Sequence, residues 1–229
     1  MKEIISSTPA MLLLVIGSYY IGTLLYRRIR SAWVHPVAVA MILCIVALLV
    51  LDIDYPTFRV GTAFLDFLLG PTVVALGYLL YEQIEHLRGR EIAIFAATII
   101  GGAVGITSVI LIGHLFGLDE TLIASLTPKS ATMPIAIPLS ELSGGLPAVT
   151  AVVVFLTGLV GSLIGPWLLD VCHITHPIAR GLALGSASHG IGTSRAIELG
   201  AIEGAVSGLA IGLTGVAISL LLPLVEWMM

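Results

Sequence analysis

The sequence predicts an all-α integral membrane protein with about six to eight transmembrane segments, two of which are discontinuous or re-entrant helices. Its 229 residues are 58% hydrophobic and 10% charged, and the mean hydropathy is +1.09. Uncharged apolar runs of about 20 residues, the length that spans a bilayer, recur along most of the chain. Two further apolar stretches are interrupted by polar residues and helix breakers. So much apolar surface requires lipid as its solvent, which excludes a water-soluble domain.

The apolar runs define a single polytopic membrane domain. Six of them each fit one span: residues 8–25, 33–51, 60–81, 92–116, 147–169 and 204–225. The interrupted stretches are residues 120–143 and 177–200. We therefore divide residues 1–229 into N-terminal spans (1–116) and two units of a broken helix plus a span (117–170 and 171–229). Arginines concentrate in the loops after the first and third spans, which predicts a multi-pass inner-membrane protein with an outward N-terminus.

An internal repeat of about 57 residues relates the last two units. Glu141 aligns with Glu198, and the segment LTG at 156–158 aligns with LTG at 213–215. These matches support a duplication. If each unit crosses the membrane twice, the repeat is parallel and the chain makes eight crossings. If each unit is a re-entrant hairpin plus one span, the repeat is inverted and the chain makes six, and the sequence leaves both arrangements open.

The first break lies in residues 127–138, TPKSATMPIAIP. Its three prolines remove backbone donors and end a continuous helix. The freed backbone groups need protein or water as partners, so we expect the break to line a cavity. Met133 and Pro134 are expected to start a short helix whose N-terminal amides point at Ser130 and Thr132, while Lys129 adds a full positive charge. Together these features predict an anion site.

The second break lies in residues 185–196, GSASHGIGTSRA. Its glycines allow the backbone to approach a ligand closely, and its hydroxyl, imidazole and guanidinium groups suit a carboxylate. The candidate ligands are Ser188, His189, Gly190, Gly192, Thr193 and Arg195. Under the 57-residue offset, Thr132 aligns with His189. We therefore expect both breaks to face one shared midplane site, as in many secondary transporters.

Each charged candidate also has a structural interpretation. Lys129 could extend to the membrane interface, and His189 could be a neutral packing residue. Arg195 could simply pair with Glu198, three residues away. Further candidate carboxylates for coupling to H⁺ or Na⁺ are Asp66, Glu141 and Glu198. Asp66 could instead sit in the headgroup region, and the two glutamates could lie at helix ends near water.

Metal, cofactor and enzyme chemistry have no signal in the sequence. Cys44 and Cys172 provide neither a metal-binding spacing nor a disulfide framework. The His-Glu-x-x-His and Gly-x-Ser-x-Gly patterns are both absent. The net charge of −4 is spread over loops, which argues against nucleic acid as a partner. We therefore expect neither a cofactor nor an enzymatic activity.

Three ordered motifs connect the chain to a known family. They are LGPT at 69–72, PKS at 128–130 and ASHGIGT at 187–193. With them, nearly the whole chain resembles the LrgB/CidB (YohK-like) family of bacterial membrane proteins. That family is related to the membrane half of the plastidial glycolate/glycerate translocator. The resemblance implies either holin/antiholin-like control of murein hydrolase activity and cell lysis, or transport of pyruvate, glycolate or glycerate. It also implies a small LrgA-like or CidA-like membrane subunit as partner.

We favour the transport function, because a holin has no use for a lysine, a histidine and an arginine gathered at paired helix breaks. The predicted protein is a secondary transporter of small monocarboxylates, coupled to H⁺ or Na⁺, that works in the lipid bilayer as a homo-oligomer. The alternative is the holin/antiholin-like regulator, whose signature is leakage of solutes without selectivity.

Overall fold

The computed structural model describes residues 7–29, 34–82, 89 and 91–228, and all regular secondary structure within these residues is helical. Four helices are long and apolar enough to cross a membrane: Thr8–Ile29, Glu91–Leu115, Pro147–Val171 and Ala201–Val225. These findings confirm the prediction of an all-α membrane protein. The chain divides into two compact units, Met1–Pro71 and Thr72–Met229.

The first unit is built on a helical pair, α1 (Thr8–Ile29) and α2 (Pro36–Leu51). They pack closely at Gly22, where a Cβ would lie 2.5 Å from the carbonyl oxygen of Pro36. Helix α2 begins at a proline, and Nδ1 of His35 accepts a hydrogen bond from the Val37 amide at 3.3 Å. With 16 residues it is shorter than the 20 or so residues of an average span.

The stretch 60–81, which the sequence predicts as one span, is divided among three helices. These are α3 (Tyr55–Gly61), α4 (Ala63–Phe67) and α5 (Leu69–Glu82). At the first interruption the Thr62 hydroxyl donates to the Phe58 carbonyl at 2.9 Å, which competes with the regular helical bonding. At the second, Pro71 has no amide hydrogen to donate to the carbonyl of Phe67, four residues earlier.

Six helices follow α5 in the described part of the second unit. They are α6 (Glu91–Leu115), α7 (Glu120–Leu126), α8 (Met133–Leu142), α9 (Pro147–Val171), α10 (Pro177–Leu199) and α11 (Ala201–Met228). Asp119 caps α7, because its Oδ1 accepts a hydrogen bond from the Leu122 amide at 2.7 Å. Helix α8 starts at Met133 and Pro134, as the sequence predicts, because proline is favoured in a first helical turn.

Helix α10 reverses direction at His189, whose backbone angles are φ 40° and ψ −133°. Leu184 and Gly192 lie eight residues apart, which in a straight helix places them about 12 Å from each other. Here a Cβ at Gly192 would lie 2.5 Å from the carbonyl oxygen of Leu184. Helix α10 is therefore a hairpin of two antiparallel half-helices, residues 177–188 and 190–199, which we call the second hairpin.

Glycines set the second hairpin between its two long neighbours. On one side, Gly181 and Gly185 contact the backbone carbonyls of Glu203 and Ser207, so the first half of α10 runs parallel to α11. On the other side, Gly165 contacts Leu184. Gly161 of α9 contacts Ser188, so α9 runs antiparallel to that half. Helices α9 and α11 therefore run in opposite directions, and small residues bring the backbones close, as in many membrane proteins.

The first hairpin consists of α7, the break at 127–132 and α8, and it is closed at its base by hydrogen bonds to α9. The Leu146 amide donates to Oγ of Ser125 at 2.7 Å. The Thr150 hydroxyl is 2.9 Å from the Ser125 carbonyl and 2.7 Å from the Ser140 hydroxyl. These bonds connect both arms of the first hairpin to the start of α9.

Gly185→Ala should destabilise the protein, because the added methyl group would meet the backbone of Ser207, which cannot move aside as a flexible side chain would. We expect the free energy of unfolding to fall by about 1–3 kcal/mol. Thermal unfolding in detergent, followed by circular dichroism, measures this effect. Gly208→Ala on α11 is the matched control, since a Cβ there meets nothing within 4 Å. Equal melting of the two variants would contradict the packing described here.

Candidate functional site

The tip of the first hairpin is a compact turn near the middle of α6. The Lys129 amide donates to the Leu126 carbonyl at 3.1 Å, and the Ala131 amide donates to the Pro128 carbonyl at 2.9 Å. Oγ of Ser130 points toward Gly105 of α6, where a Cβ would lie 3.8 Å away. Because Gly105 is near the centre of a 25-residue helix, the tip lies far from either end of that helix.

Lys129 is a half-buried cation without a carboxylate partner among the described residues. Its Nζ donates to Oγ of Ser130 at 3.3 Å. Removing an ammonium group from water without a counter-ion is unfavourable, and a charged residue at membrane depth usually has a function. An anionic ligand would supply the missing charge at this position.

Thr132 forms the N-cap of α8 with an extended backbone, at φ −71° and ψ 153°. Its carbonyl accepts hydrogen bonds from the amides of Ile135 and Ala136 at 2.9 and 2.8 Å. Its hydroxyl makes no capping bond. The N-terminus of α8, which is the positive end of the helix dipole, therefore begins three residues after Lys129 in the chain. The sequence predicts this arrangement for an anion-binding site.

His189 forms the tip of the second hairpin and is only 6% exposed. Its Nε2 donates to the Val154 carbonyl of α9 at 2.9 Å. Gly158 leaves room for the ring, since a Cβ there would lie 2.5 Å from Cε1. The hydrogen bond places the proton of the neutral imidazole on Nε2, which leaves Nδ1 as an acceptor. A non-glycine residue with these backbone angles is strained, and such strain concentrates at functional sites.

Within the part of the chain that the structure describes, the buried hydroxyl groups of Ser186, Ser188 and Thr214 have no hydrogen-bond partner. Ser188 is 1% exposed and Thr214 is 2% exposed. An unsatisfied buried hydroxyl costs about 1–3 kcal/mol, so such groups usually have a ligand or water as partner. Of the three, sequence reasoning identified only Ser188. The repeat offered a signal for Thr214, because the pair Thr214-Gly215 aligns with the identical pair Thr157-Gly158.

The remaining candidates of the second break have different environments. The Thr193 hydroxyl donates to the His189 carbonyl at 2.9 Å and lies 2.8 Å from the Ser207 hydroxyl, so it supports the tip. Gly192 provides the close contact between the half-helices, whereas Gly190 is exposed and faces open space. Arg195 forms an ion pair with Glu198 at 2.5 Å, which is the structural interpretation given above.

The candidate coupling carboxylates belong to three different helices. Glu141 is exposed in the last turn of α8, and Glu198 lies near the end of α10. Asp66 is exposed on α4 in the first unit. Within the described ranges, no group of three or more His, Cys, Asp or Glu residues could hold a metal ion.

One buried cluster connects the two breaks. It contains Ala131 of the first tip and Val154 of α9. The carbonyl of that valine is the acceptor for His189. A residue of the first tip and the residue that binds the second tip therefore belong to the same buried cluster.

Comparisons with known proteins find relatives over most of the chain. The model of the LrgB-like family matches residues 15–228. The uncharacterized protein YxaC of Bacillus subtilis (strain 168) is 35% identical over 217 residues, which cover 95% of this chain and 94% of YxaC. The antiholin-like proteins LrgB of Bacillus mycoides (strain KBAB4) and Bacillus cereus (strain B4264) are each 33% identical over 208 residues, covering 90% of both chains. No solved structure matches. The resemblance predicted from the three motifs is confirmed, and the chain belongs to the LrgB-like family.

Proposed function

We propose that this protein is a secondary transporter that carries small monocarboxylates of the pyruvate, glycolate or glycerate class across the bacterial inner membrane. The observation that supports this function best is Lys129, a half-buried cation at a helix break whose one hydrogen-bond partner among the described residues is the Ser130 hydroxyl. A substrate carboxylate would complete the site by charge and by hydrogen bonding.

An inverted repeat would place both hairpins at one site. The 57-residue offset maps α8 onto residues 190–199, the second half of α10, and maps α9 onto residues 204–228, within α11. Helices α9 and α11 run in opposite directions, which agrees with an inverted pair of units. In this proposal each hairpin re-enters from its own membrane surface and the chain crosses the membrane six times. Transporters with inverted repeats bind substrate at the repeat interface near the midplane.

Residues of the two tips would bind different groups of the substrate. Lys129, with Ser130 and Thr132, would bind the carboxylate. The hydroxyls of Ser188 and Thr214 and Nδ1 of His189 would bind the 2-oxo or 2-hydroxy group. Gly190 would allow the substrate to approach the backbone closely, and Gly192 would allow the two half-helices to do so. Thr193 would support the tip. Arg195 would act through its pair with Glu198 rather than at the centre of the site.

Coupling and assembly complete the proposal. Asp66, Glu141 and Glu198 are the candidates for coupling to H⁺ or Na⁺, because carboxylates near membrane depth can take up either cation. Many apolar side chains of the long helices are exposed, including Leu13, Ile100 and Leu220. In the bilayer these would face lipid, a second copy of the chain, or a small LrgA-like or CidA-like subunit.

The names of the relatives favour a second candidate function. LrgB proteins of Bacillus mycoides and Bacillus cereus are called antiholin-like. By that similarity this chain would be a holin/antiholin-like regulator of murein hydrolase activity and cell lysis. The names support this alternative more directly than they support a carrier, whereas Lys129, which has no carboxylate partner in the described ranges, supports the carrier.

Lys129→Ala should abolish uptake of labelled pyruvate or glycolate into proteoliposomes that contain the purified protein. Loss of the ammonium group removes the charge that offsets the carboxylate, so we expect uptake to fall by at least about 100-fold, the scale of a lost buried ion pair. Arg59→Ala is the matched control, since it removes an exposed cation from α3. An impermeant labelled sugar reports leakage.

The outcomes separate the two candidate functions. Saturable uptake of the acid, lost in Lys129→Ala, kept in Arg59→Ala and without sugar entry, supports the carrier. If acid and sugar enter at equal rates and Lys129→Ala changes neither, the carrier proposal fails and the antiholin-like function leads.

His189→Gly should separate transport from folding. Glycine adopts the backbone angles of the tip without strain, which recovers about 1–3 kcal/mol and offsets the lost hydrogen bond to Val154, worth about 1 kcal/mol. We therefore expect unchanged or higher thermal stability together with loss of pyruvate uptake. Ser194→Ala, an exposed position on the same half-helix, is the control. Full uptake by His189→Gly would exclude the imidazole from the substrate site.

A further inference from the structure

A cavity of about 360 Å³ runs beside the first hairpin. Its polar lining residues are Glu120, Thr127 and Ser143, and its apolar lining includes Ile110 and Leu222. Glu120 is exposed at the start of α7, and Thr127 is buried at the other end of that helix. The cavity therefore extends along α7 from its first residue toward the tip of the hairpin. Thr127, at the tip end of the cavity, is two residues before Lys129 in the chain.

Two residues that line the cavity align, in the repeat, with two residues of the second unit that contact each other. Thr127 aligns with Leu184, and Leu222 aligns with Gly165. In the second hairpin a Cβ at Gly165 would lie 2.7 Å from Cδ2 of Leu184, so the leucine fills the space above the glycine. In the first hairpin both members of the pair line the cavity. The two hairpins thus pack against their long helices with the large and small residues exchanged.

A second aligned pair shows the same difference in residue size. Ser188 contacts Gly161 in the second hairpin. The aligned residues of the first hairpin, Ala131 and Ile218, belong to one buried cluster. Here too, α9 has a glycine where α11 has a large side chain.

We propose that this cavity is the passage through which the carboxylate reaches Lys129 from the surface at which α7 begins, and that Leu184 on Gly165 closes the equivalent passage beside the second hairpin. This inference rests on the proposed transport function. The structure then represents a carrier open on one side, and exchange of the two packing arrangements opens the other side.

Cysteine accessibility tests the passage without relying on transport. In a background with Cys44→Ser and Cys172→Ser, the variants Thr127→Cys and Leu184→Cys are treated with a membrane-impermeant, anionic thiol reagent from each side. Phe116→Cys, at an exposed position just before α7, marks the surface at which the passage opens. We expect Thr127→Cys to react from that surface alone, and Leu184→Cys to react at least about tenfold more slowly from either side.

A packing exchange tests whether the passage leads to the lysine. In the same background Lys129→Cys should react from the marked surface. Adding Thr127→Leu together with Leu222→Gly copies the closed pair of the second hairpin, and should slow that reaction by about tenfold. Leu222→Ile is the control for folding and should leave the rate unchanged.

Equal reaction rates of Thr127→Cys and Leu184→Cys, or no effect of the packing exchange, would overturn the passage. If uptake is intact in that case, the transport function survives without it. One-sided labelling in a protein that takes up no acid would retain the passage and overturn its role in transport.

Discussion

Backbone groups freed at a helix break need partners inside the protein, and both hairpins depend on this constraint. At the second tip, the Thr193 hydroxyl donates to the His189 carbonyl, and Nε2 of the histidine donates to the Val154 carbonyl. At the first tip, the chain closes two tight turns on itself, and the Thr127 hydroxyl donates to the Ile123 carbonyl at 2.6 Å. By contrast, the hydroxyls of Ser188 and Thr214 have no partner among the described residues, and the Lys129 ammonium group donates to the Ser130 hydroxyl.

Close packing against α9 and α11 holds the strained tip in place. A histidine at φ 40° and ψ −133° is unfavourable by about 1–3 kcal/mol relative to glycine. The contacts of Gly158 with the imidazole and of Gly161 with Ser188 leave the tip no room to relax. Strain that the surroundings maintain is common at functional sites, and it is consistent with the binding role that we propose for His189.

Much of this architecture was predictable from the sequence, because composition and proline positions act locally. The four long helices, the helix starting at Met133 and both breaks follow from apolar length and helix-breaking residues. The direction of α10 was not predictable, because 23 residues suffice to cross a bilayer and the reversal depends on contacts with distant glycines. Thr214 was missed because it lies in a regular apolar helix. The division of residues 60–81 depends on one proline and one threonine within an otherwise apolar run.

The reversal at His189 is the central claim, and labelling both ends of α10 tests it most directly. Thr175 precedes the helix and Ala201 follows it, and both are exposed. In the background without native cysteines, Thr175→Cys and Ala201→Cys are treated with an impermeant thiol reagent from each side of the membrane. The account predicts that both react from the same side, because the chain returns to the surface from which it entered. Reaction from opposite sides would mean that α10 crosses the membrane, which would contradict the hairpin and the inverted repeat built on it.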